Sequence, residues 1–287
     1  MTAAEIFEQH RSLVFGIAYR MLGSVVEAED ITQDVFLRWQ RQPTAPVQSA
    51  KAYLTTIVSR LCIDHLRSAR HQREQYVGVW LPEPLLVADE PSPDSRAELA
   101  DSLTNAFLLL LETLNPAERA VFLLREVFQY DYDEVSRIVD KSEANCRQMF
   151  SRARERLASR SPRFQAERAE SEKLVQEFLA ACTEGDTDGL MNLLTKDVVM
   201  YSDGGGKVAA ALRPILGIDK VVRFFISVRQ RLPKGVQVRF ANLNAEPGVL
   251  LLIRGKAEHA MTFEINEGRI RAVYIVGNPD KLKHLSR

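Results

Sequence analysis

Apolar residues recur at helical spacing from the start of the chain: Ile6, Leu13, Val14, Ile17, Ala18, Met21 and Leu22 share one stripe, and Gly23 closes the run as a C-terminal glycine does. Ser24-Val25-Val26-Glu27 reads as a capping box opening a second helix, in which Ile31, Val35, Phe36 and Trp39 follow until Pro43 and Pro46 break the pattern. Lys51 to about His71 lacks Gly and Pro and places Leu54, Ile57, Val58, Leu61 and Leu66 on a third stripe. Pro82, Pro84, Pro91 and Pro93 then fall in acidic sequence that reads as a linker, although Trp80-Leu81-Pro82-Glu83-Pro84-Leu85 is too apolar for a free one and is expected to dock on a folded surface. Helical pattern resumes from Ala97 to Leu114, restarts at the N-cap Asn115 with Pro116, and is expected to run to about Arg168.

After Ser171 the periodicity changes. Helices over Glu172 to Glu184, about Thr187 to Leu194 and Ile218 to Leu232 accompany expected strands at Asp197 to Tyr201, Val208 to Leu212, Val236 to Asn244, Val249 to Ile253, Glu258 to Ile265 and Arg269 to Val276. Gly248 and Asn266-Glu267-Gly268 stand where hairpin turns are expected. The pattern predicts a multidomain chain: two all-α helical domains followed by an α+β domain with an antiparallel sheet. The expected boundaries are 1–75, a linker at 76–97, 98–168 and 172–287.

The 287 residues carry 38 Lys+Arg against 38 Asp+Glu, and the 46% hydrophobic content excludes a chain disordered throughout. That balance hides segregation. Lys51 to Arg73 has five basic residues against Asp64, Arg147 to Arg163 has six arginines against Glu155, and Glu83 to Asp101 has six acidic residues against Arg96. A neutral total therefore does not exclude nucleic acid, because counterion release depends on the face that meets phosphate. No run approaches the roughly 18 apolar residues of a membrane span, and Met1 to His10 has no secretory pattern, so a cytoplasmic location is expected. Cys62, Cys146 and Cys182 are odd in number and widely spaced, which points to small core side chains and to neither a disulfide framework nor a metal site.

Tyr132 to Val139, the turn Asp140-Lys141-Ser142, and Glu143 to Leu157 have helix-turn-helix spacing, without the usual turn glycine. Cys146, Phe150, Ala153 and Leu157 face inward; Glu143, Asn145, Arg147, Gln148, Ser151, Arg152 and Arg154 are left to meet a major groove, with Arg147 and Gln148 able to read base edges and Arg152, Arg154 and Arg156 able to meet phosphates. Tyr53, Arg60, Asp64, His65, Arg67 and Arg70 combine the charge and aromaticity that hold an unstacked strand, though Asp64 and Arg67 also fit a helix-surface ion pair.

Ala28 to Trp39 (AEDITQDVFLRW) and Tyr53 to Arg67 (YLTTIVSRLCIDHLR) resemble region 2 of bacterial sigma factors of the extracytoplasmic-function group, and Pro116 to Leu157 resembles region 4. Residues 172–287 resemble a SnoaL-like domain, a cone of helices around a curved antiparallel sheet. Trp80 to Leu85, Asp203-Gly204-Gly205-Gly206-Lys207 and Asn278-Pro279-Asp280-Lys281 look like the signatures of the sigma factor J type, which carries this extension. The resemblance implies that Asp30, Gln33, Asp34 and Phe36 grip the polymerase core at its β′ subunit, with β a further partner, that the Tyr53 to Arg70 helix binds and melts the −10 element, and that the Glu143 to Leu157 helix reads the −35 element. The three signature segments are expected to make an interdomain contact that regulates the two promoter-binding domains in cis. No cofactor, metal or catalytic residue is expected. The reading from another class is a SnoaL-like enzyme or ligand sensor fused to a DNA-binding module, with Asp203, His259 and Tyr274 lining a cavity that takes a small molecule; Gly204 to Gly206 then reads either as an anion-binding nest or as a flexible turn.

Overall fold

The computed structural model describes residues 2–41, 49–87, 102–158, 168–231, 233 and 235–285. The chain divides into two compact units: Met1–Glu74, Ala97–Ser102 and Phe107–Ser161 form the first, and Gln75–Arg96, Leu103–Ala106 and Pro162–Arg287 form the second.

In the first unit, α1 (Ala3–Leu22), α2 (Val25–Gln40) and α3 (Ala50–Glu74) close around Val14, Ile17, Leu22, Val35, Leu54 and Val58, each essentially inaccessible. A Thr2–Glu5 capping box starts α1, Gly23 ends it at φ 67°, and the Ser24 hydroxyl accepts from Glu27 N at the start of α2. Next come α4 (Asn105–Leu111), α5 (Pro116–Phe122) with its Asn115–Glu118 capping box, a π-helical turn (Leu123–Val127), α6 (Tyr132–Val139) and α7 (Glu143–Ala158). The expected helix from Ala97 is helical in its described part only from Asn105, with a turn at 102–104; residues 97–101 lie outside the described residues. The same holds for 159–167, so the expected run to Arg168 is described to Ala158.

The three-helix and helix-turn-helix portions pack on each other through buried arginines. Arg119 donates to Met21 O (2.6 Å) at the end of α1 and to Glu112 Oε1 (2.8 Å). Arg20 donates to Ser102 Oγ (2.7 Å) and Gly16 O (3.0 Å), and burial pushes its guanidinium down to about 10. The hydroxyls of Thr55 and Tyr130 meet at 2.8 Å, both buried. Each of these bonds satisfies a buried donor whose desolvation would otherwise cost about 1–3 kcal/mol.

The second unit contains α8 (Arg168–Glu184), α9 (Thr187–Leu193), α10 (Ile218–Arg229), α11 (Pro279–Leu282) and a mixed sheet of β1 (Leu194–Asp203), β2 (Ile215–Leu216), β3 (Gln237–Leu243), β4 (Glu246–Ile253), β5 (Lys256–Asn266) and β6 (Arg269–Val276) in the order β2-β1-β6-β5-β4-β3. All neighbours are antiparallel apart from the parallel β1–β6 pair. Val198, Met200, Val249, Met261, Phe263, Val273 and Ile275 turn one face onto Val175, Phe178, Val221 and Phe225 of the helices, which makes the α+β SnoaL-like cone.

Two expectations change here. Residues 208–212 form no strand: Val208 N turns back to Gly204 O, Val208 and Leu212 are exposed, and the sheet's edge is instead the short β2 beyond Pro214. Gly248 is not a turn residue but lies inside β4, where a Cβ would come within 2.8 Å of Leu243 and 2.9 Å of Met261 O. The β3–β4 turn is Asn244-Ala245, both at positive φ (56° and 62°); Glu267-Gly268 (51° and 71°) turns β5 into β6 as the sequence predicts.

Candidate functional site

On α7, Cys146, Ala153 and Leu157 are buried and Phe150 half-buried, leaving Glu143, Asn145, Arg147, Gln148, Ser151, Arg152 and Arg154 exposed together. Asp140 takes the left-handed conformation (φ 54°, ψ 55°) that the missing glycine would otherwise supply, since a short acidic side chain tolerates it. Arg147 is held by Glu143 (2.9 Å) and stacks over Tyr132, 4.3 Å from the ring centroid. Arg156 differs from the expectation that it is free for phosphate: it donates to Glu118 Oε2 (3.1 Å), a residue 7% exposed.

On α3, Tyr53, Arg60, Asp64 and Arg67 follow at offsets of seven, four and three and so share a face, whereas His65 lies off that face and meets Glu27 at 3.3 Å. Asp64 and Arg67 are an exposed pair at 3.5 Å. The side chain of Arg70 lies outside the described residues. Arg60 donates through Nε to Ile138 O (2.9 Å) and through its terminal nitrogen to Arg137 O (3.0 Å), so its fork caps the C-terminus of α6, the first helix of the helix-turn-helix. That capping role was not legible in the sequence.

On α2, Asp30, Gln33 and Asp34 are exposed, but Phe36 is half-buried against Phe7 with ring centroids 4.9 Å apart. Val26 and Leu37, 50% and 40% exposed, continue the stripe through Asp30 and Gln33 at offsets of four, three and four. Sequence reasoning missed them because apolar residues at helical spacing look like core.

The three signature segments meet within the second unit around one buried carboxylate. Asp203, 1% exposed at the end of β1, accepts from Tyr76 OH (2.6 Å) and Gly205 N (3.0 Å) on one oxygen, and from Leu81 N (2.9 Å) and Lys281 Nζ (2.8 Å) on the other. Lys281 also donates to Leu81 O and lies between aromatic rings, 4.3 Å from Trp80 and 5.1 Å from Tyr76. Asn278 donates to Tyr76 OH (2.9 Å), and burial together with Asp203 drives that phenol well above its usual range. The glycines are steric necessities: a Cβ on Gly204 would sit 2.4 Å from Val208 O, and one on Gly205 2.2 Å from Asn278. Gly205 N donates to Asp203, so the run is a tight turn around that carboxylate and not an anion nest.

Leu81, Pro82, Glu83 and Pro84 are all buried, with Trp80 and Leu85 half-buried. His284 Nε2 lies 2.7 Å from Pro84 O, and Lys207 and Lys283 hold Asp280, lowering its carboxyl. Leu86 makes a single antiparallel bridge with Leu243 at the edge of β3. Asn244, fully buried in the β3–β4 turn, exchanges bonds with Leu85 (2.8 and 3.1 Å) and donates to Leu103 O (3.0 Å).

The cavity lining expected for an enzyme is not assembled. Tyr274 stacks on Tyr201 (5.2 Å) and donates to Glu264 (3.0 Å) on the face opposite the helices, because Val273 and Ile275 take the helix-covered side; Asp203 shares the Tyr201 parity and is spent on the linker. His259, opposite Leu251, is the one candidate on the helix-covered face, and burial lowers its imidazole below the usual range. Among the described residues no group of three or more His, Cys, Asp or Glu could hold a metal, and no helix is long and apolar enough to cross a membrane.

A three-helix portion with a polar face, a helix-turn-helix and a cone that seats the tether define a promoter-recognition protein of bacterial transcription. Residues 6–72 match the Sigma-70 region 2 family and 104–157 match Sigma-70, region 4. The chain is 35% identical over 286 residues to the ECF RNA polymerase sigma factor SigJ of Mycobacterium tuberculosis (strain ATCC 25618 / H37Rv), covering 96% of this chain and 91% of that one. It is 29% identical over 279 residues to the probable ECF RNA polymerase sigma factor SigI of the same strain, covering 96% and 93%. The crystal structure of M. tuberculosis SigJ is similar over 98% of each chain, with a TM-score of 0.77 at 32% identity. The chain belongs to the extracytoplasmic-function sigma factors. It is an alternative sigma factor for promoter-specific transcription, a transcription regulator of the kind that binds RNA polymerase core and promoter DNA.

Proposed function

We propose that the exposed face of α7 reads the −35 element, that the Tyr53–Arg60–Asp64–Arg67 face of α3 holds the −10 strand, and that Val26, Asp30, Gln33 and Leu37 on α2 meet the β′ subunit of core. Residues 1–75 and 98–168 then act as the promoter-binding domains, 172–287 as a regulator acting in cis with no catalytic residue of its own, and the cytoplasm as the place of action. The seating of Leu81–Pro84 on the Asp203–Lys281 pair carries this reading. A free 76–97 tether reaches roughly 70 Å at about 3.3 Å per residue, and holding 76–86 removes half of that. Elements about 25 bp apart are more than two turns of DNA from one another, each turn about 34–36 Å, so a shortened tether restrains simultaneous engagement. The Arg60 cap on α6 supports the same restraint, since the arginine is bonded to two carbonyls and has to leave them to meet the −10 strand.

A run-off assay with core polymerase, on a promoter selected from a random library, tests both parts. The full chain should confer initiation at a defined start, and Trp80→Ala, which removes one wall of the lysine cage, should raise output at least threefold. No initiation refutes the surface assignment; unchanged or reduced output refutes the restraint.

A further inference from the structure

Residues 204–240 hold eight basic residues (Lys207, Arg213, Lys220, Arg223, Arg229, Arg231, Lys234 and Arg239) and one acidic residue, Asp219. Nothing in the promoter-binding portion or the linker seat uses most of these charges. Lys220, Arg223 and Arg229 lie on α10, with Arg231 just past its end. Its apolar positions Val221, Val222 and Phe225 are buried against the sheet, so the opposite side of the helix is turned outward. The outward positions are Lys220, Arg223 and Ser227, continued in the following turn by Gln230 and Arg231, all exposed. At 1.5 Å per residue the stripe is about 16 Å long.

Three properties single it out from an ordinary solvated face. Lys220, Arg223 and Arg231 make no ion pair among the described residues, whereas Lys207 is paired with Asp280, and Arg229 and Arg239 donate to backbone carbonyls. Exposed Asp219, one turn before Arg223, is the one carboxylate beside the stripe among the described residues, so three cations face a single negative charge. The stripe includes no apolar residue, and protein–protein interfaces are built around apolar cores. A row of mostly unneutralised donors suits a surface whose charge is dense and regular. Duplex DNA carries one negative charge per about 1.7 Å of axis, and so presents roughly ten charges to a stripe of this length.

We propose that the outward face of α10, with Arg231, is a third DNA contact that grips phosphate without reading sequence. It rests on the sigma-factor reading only for its partner, duplex DNA. By holding the cone on the same duplex as the promoter-reading helices, it adds affinity that falls with salt and carries no base preference.

The test compares the full-length chain with its K220Q/R223Q/R231Q variant on a 40-bp duplex of arbitrary sequence, by fluorescence anisotropy from about 50 to 300 mM KCl. Each phosphate contact contributes about 0.9 to the slope of log affinity against log salt, so removing three should lower the slope by about 2 to 3. At 0.1 M salt the variant should bind about a hundredfold more weakly, and K220R/R223K/R231K should bind as the native chain does. The altered side chains are exposed, so thermal unfolding should be unchanged. An unaltered salt slope overturns the proposal; so does an unaltered slope accompanied by lost association with core polymerase, which would make the stripe's partner an acidic protein surface. Failure of the run-off assay together with the predicted slope change would refute the promoter reading and leave the phosphate grip standing.

Discussion

Replacing Lys281 by methionine keeps the length and apolar stem of the side chain and deletes its charge. The native ammonium is 8% exposed, touches Asp203 at 2.8 Å, bonds Leu81 O and is flanked by Trp80 and Tyr76; the Asp203 side chain has no accessible surface. The variant leaves that carboxylate with three donors, Tyr76 OH, Leu81 N and Gly205 N, and no compensating cation. Removing one partner of a buried pair costs about 3–5 kcal/mol. The lost cation–π contacts, about 0.5–2 kcal/mol, are part of that cost. With a urea dependence of about 1–3 kcal/mol per molar, the midpoint of the second unit should fall by at least 1 M. Trp39 and Trp80 are the two tryptophans, so the Trp39→Phe background makes fluorescence report Trp80 in the linker seat. Asp203→Asn in the same background, and the double variant, complete a cycle: the double should be less destabilised than the sum of the singles by about 2 kcal/mol or more. A cost for Lys281→Met below about 1 kcal/mol, or additive singles, would show that the pair does not hold the linker.

Other outcomes follow from the same geometry. Arg60→Ala should destabilise the first unit by about 1–3 kcal/mol, read as a lower melting temperature, and Arg60→Lys should not restore it because an ammonium cannot fork to Ile138 O and Arg137 O together. Arg147→Ala should weaken one promoter position by about 1–3 kcal/mol in a binding assay over single-base variants, whereas a uniform loss would assign it to phosphate. His259 has a folded-state pKa below its unfolded value because burial disfavours the cation, so the unfolded chain binds more protons as pH falls. Its contribution is present above about pH 6.5 and is lost as pH drops through the folded value; His259→Gln should flatten the decline in stability below pH 6.5 seen in acid-dependent urea melts.

Helices were legible wherever one apolar stripe met a solvated face and a cap marked the end: Ser24, Asn115 and Gly23 stand at the boundaries that local hydrogen bonding requires. Five of the six strands were legible too, but not the short edge strand β2, which stands in place of the strand expected at 208–212, nor the role of each glycine. Gly248 looks like turn chemistry and is a packing necessity against Leu243 and Met261, which only the neighbouring strands reveal. Val26 and Leu37, proposed above to meet core, look like core to any periodicity argument and yet are 50% and 40% exposed.

The sequence by itself determined the helices, the alternation of charge, the basic recognition helix and the three signature segments, because these depend on residues within a turn or two of one another. Only the tertiary structure decided that the signatures converge on Asp203, 122 residues from Leu81 and 78 from Lys281, and that Arg60 caps a helix 77 residues away. It also decided which side of the sheet Tyr274 faces. Burying a carboxylate demands donors from wherever the chain can bring them, and local patterning holds no record of that demand.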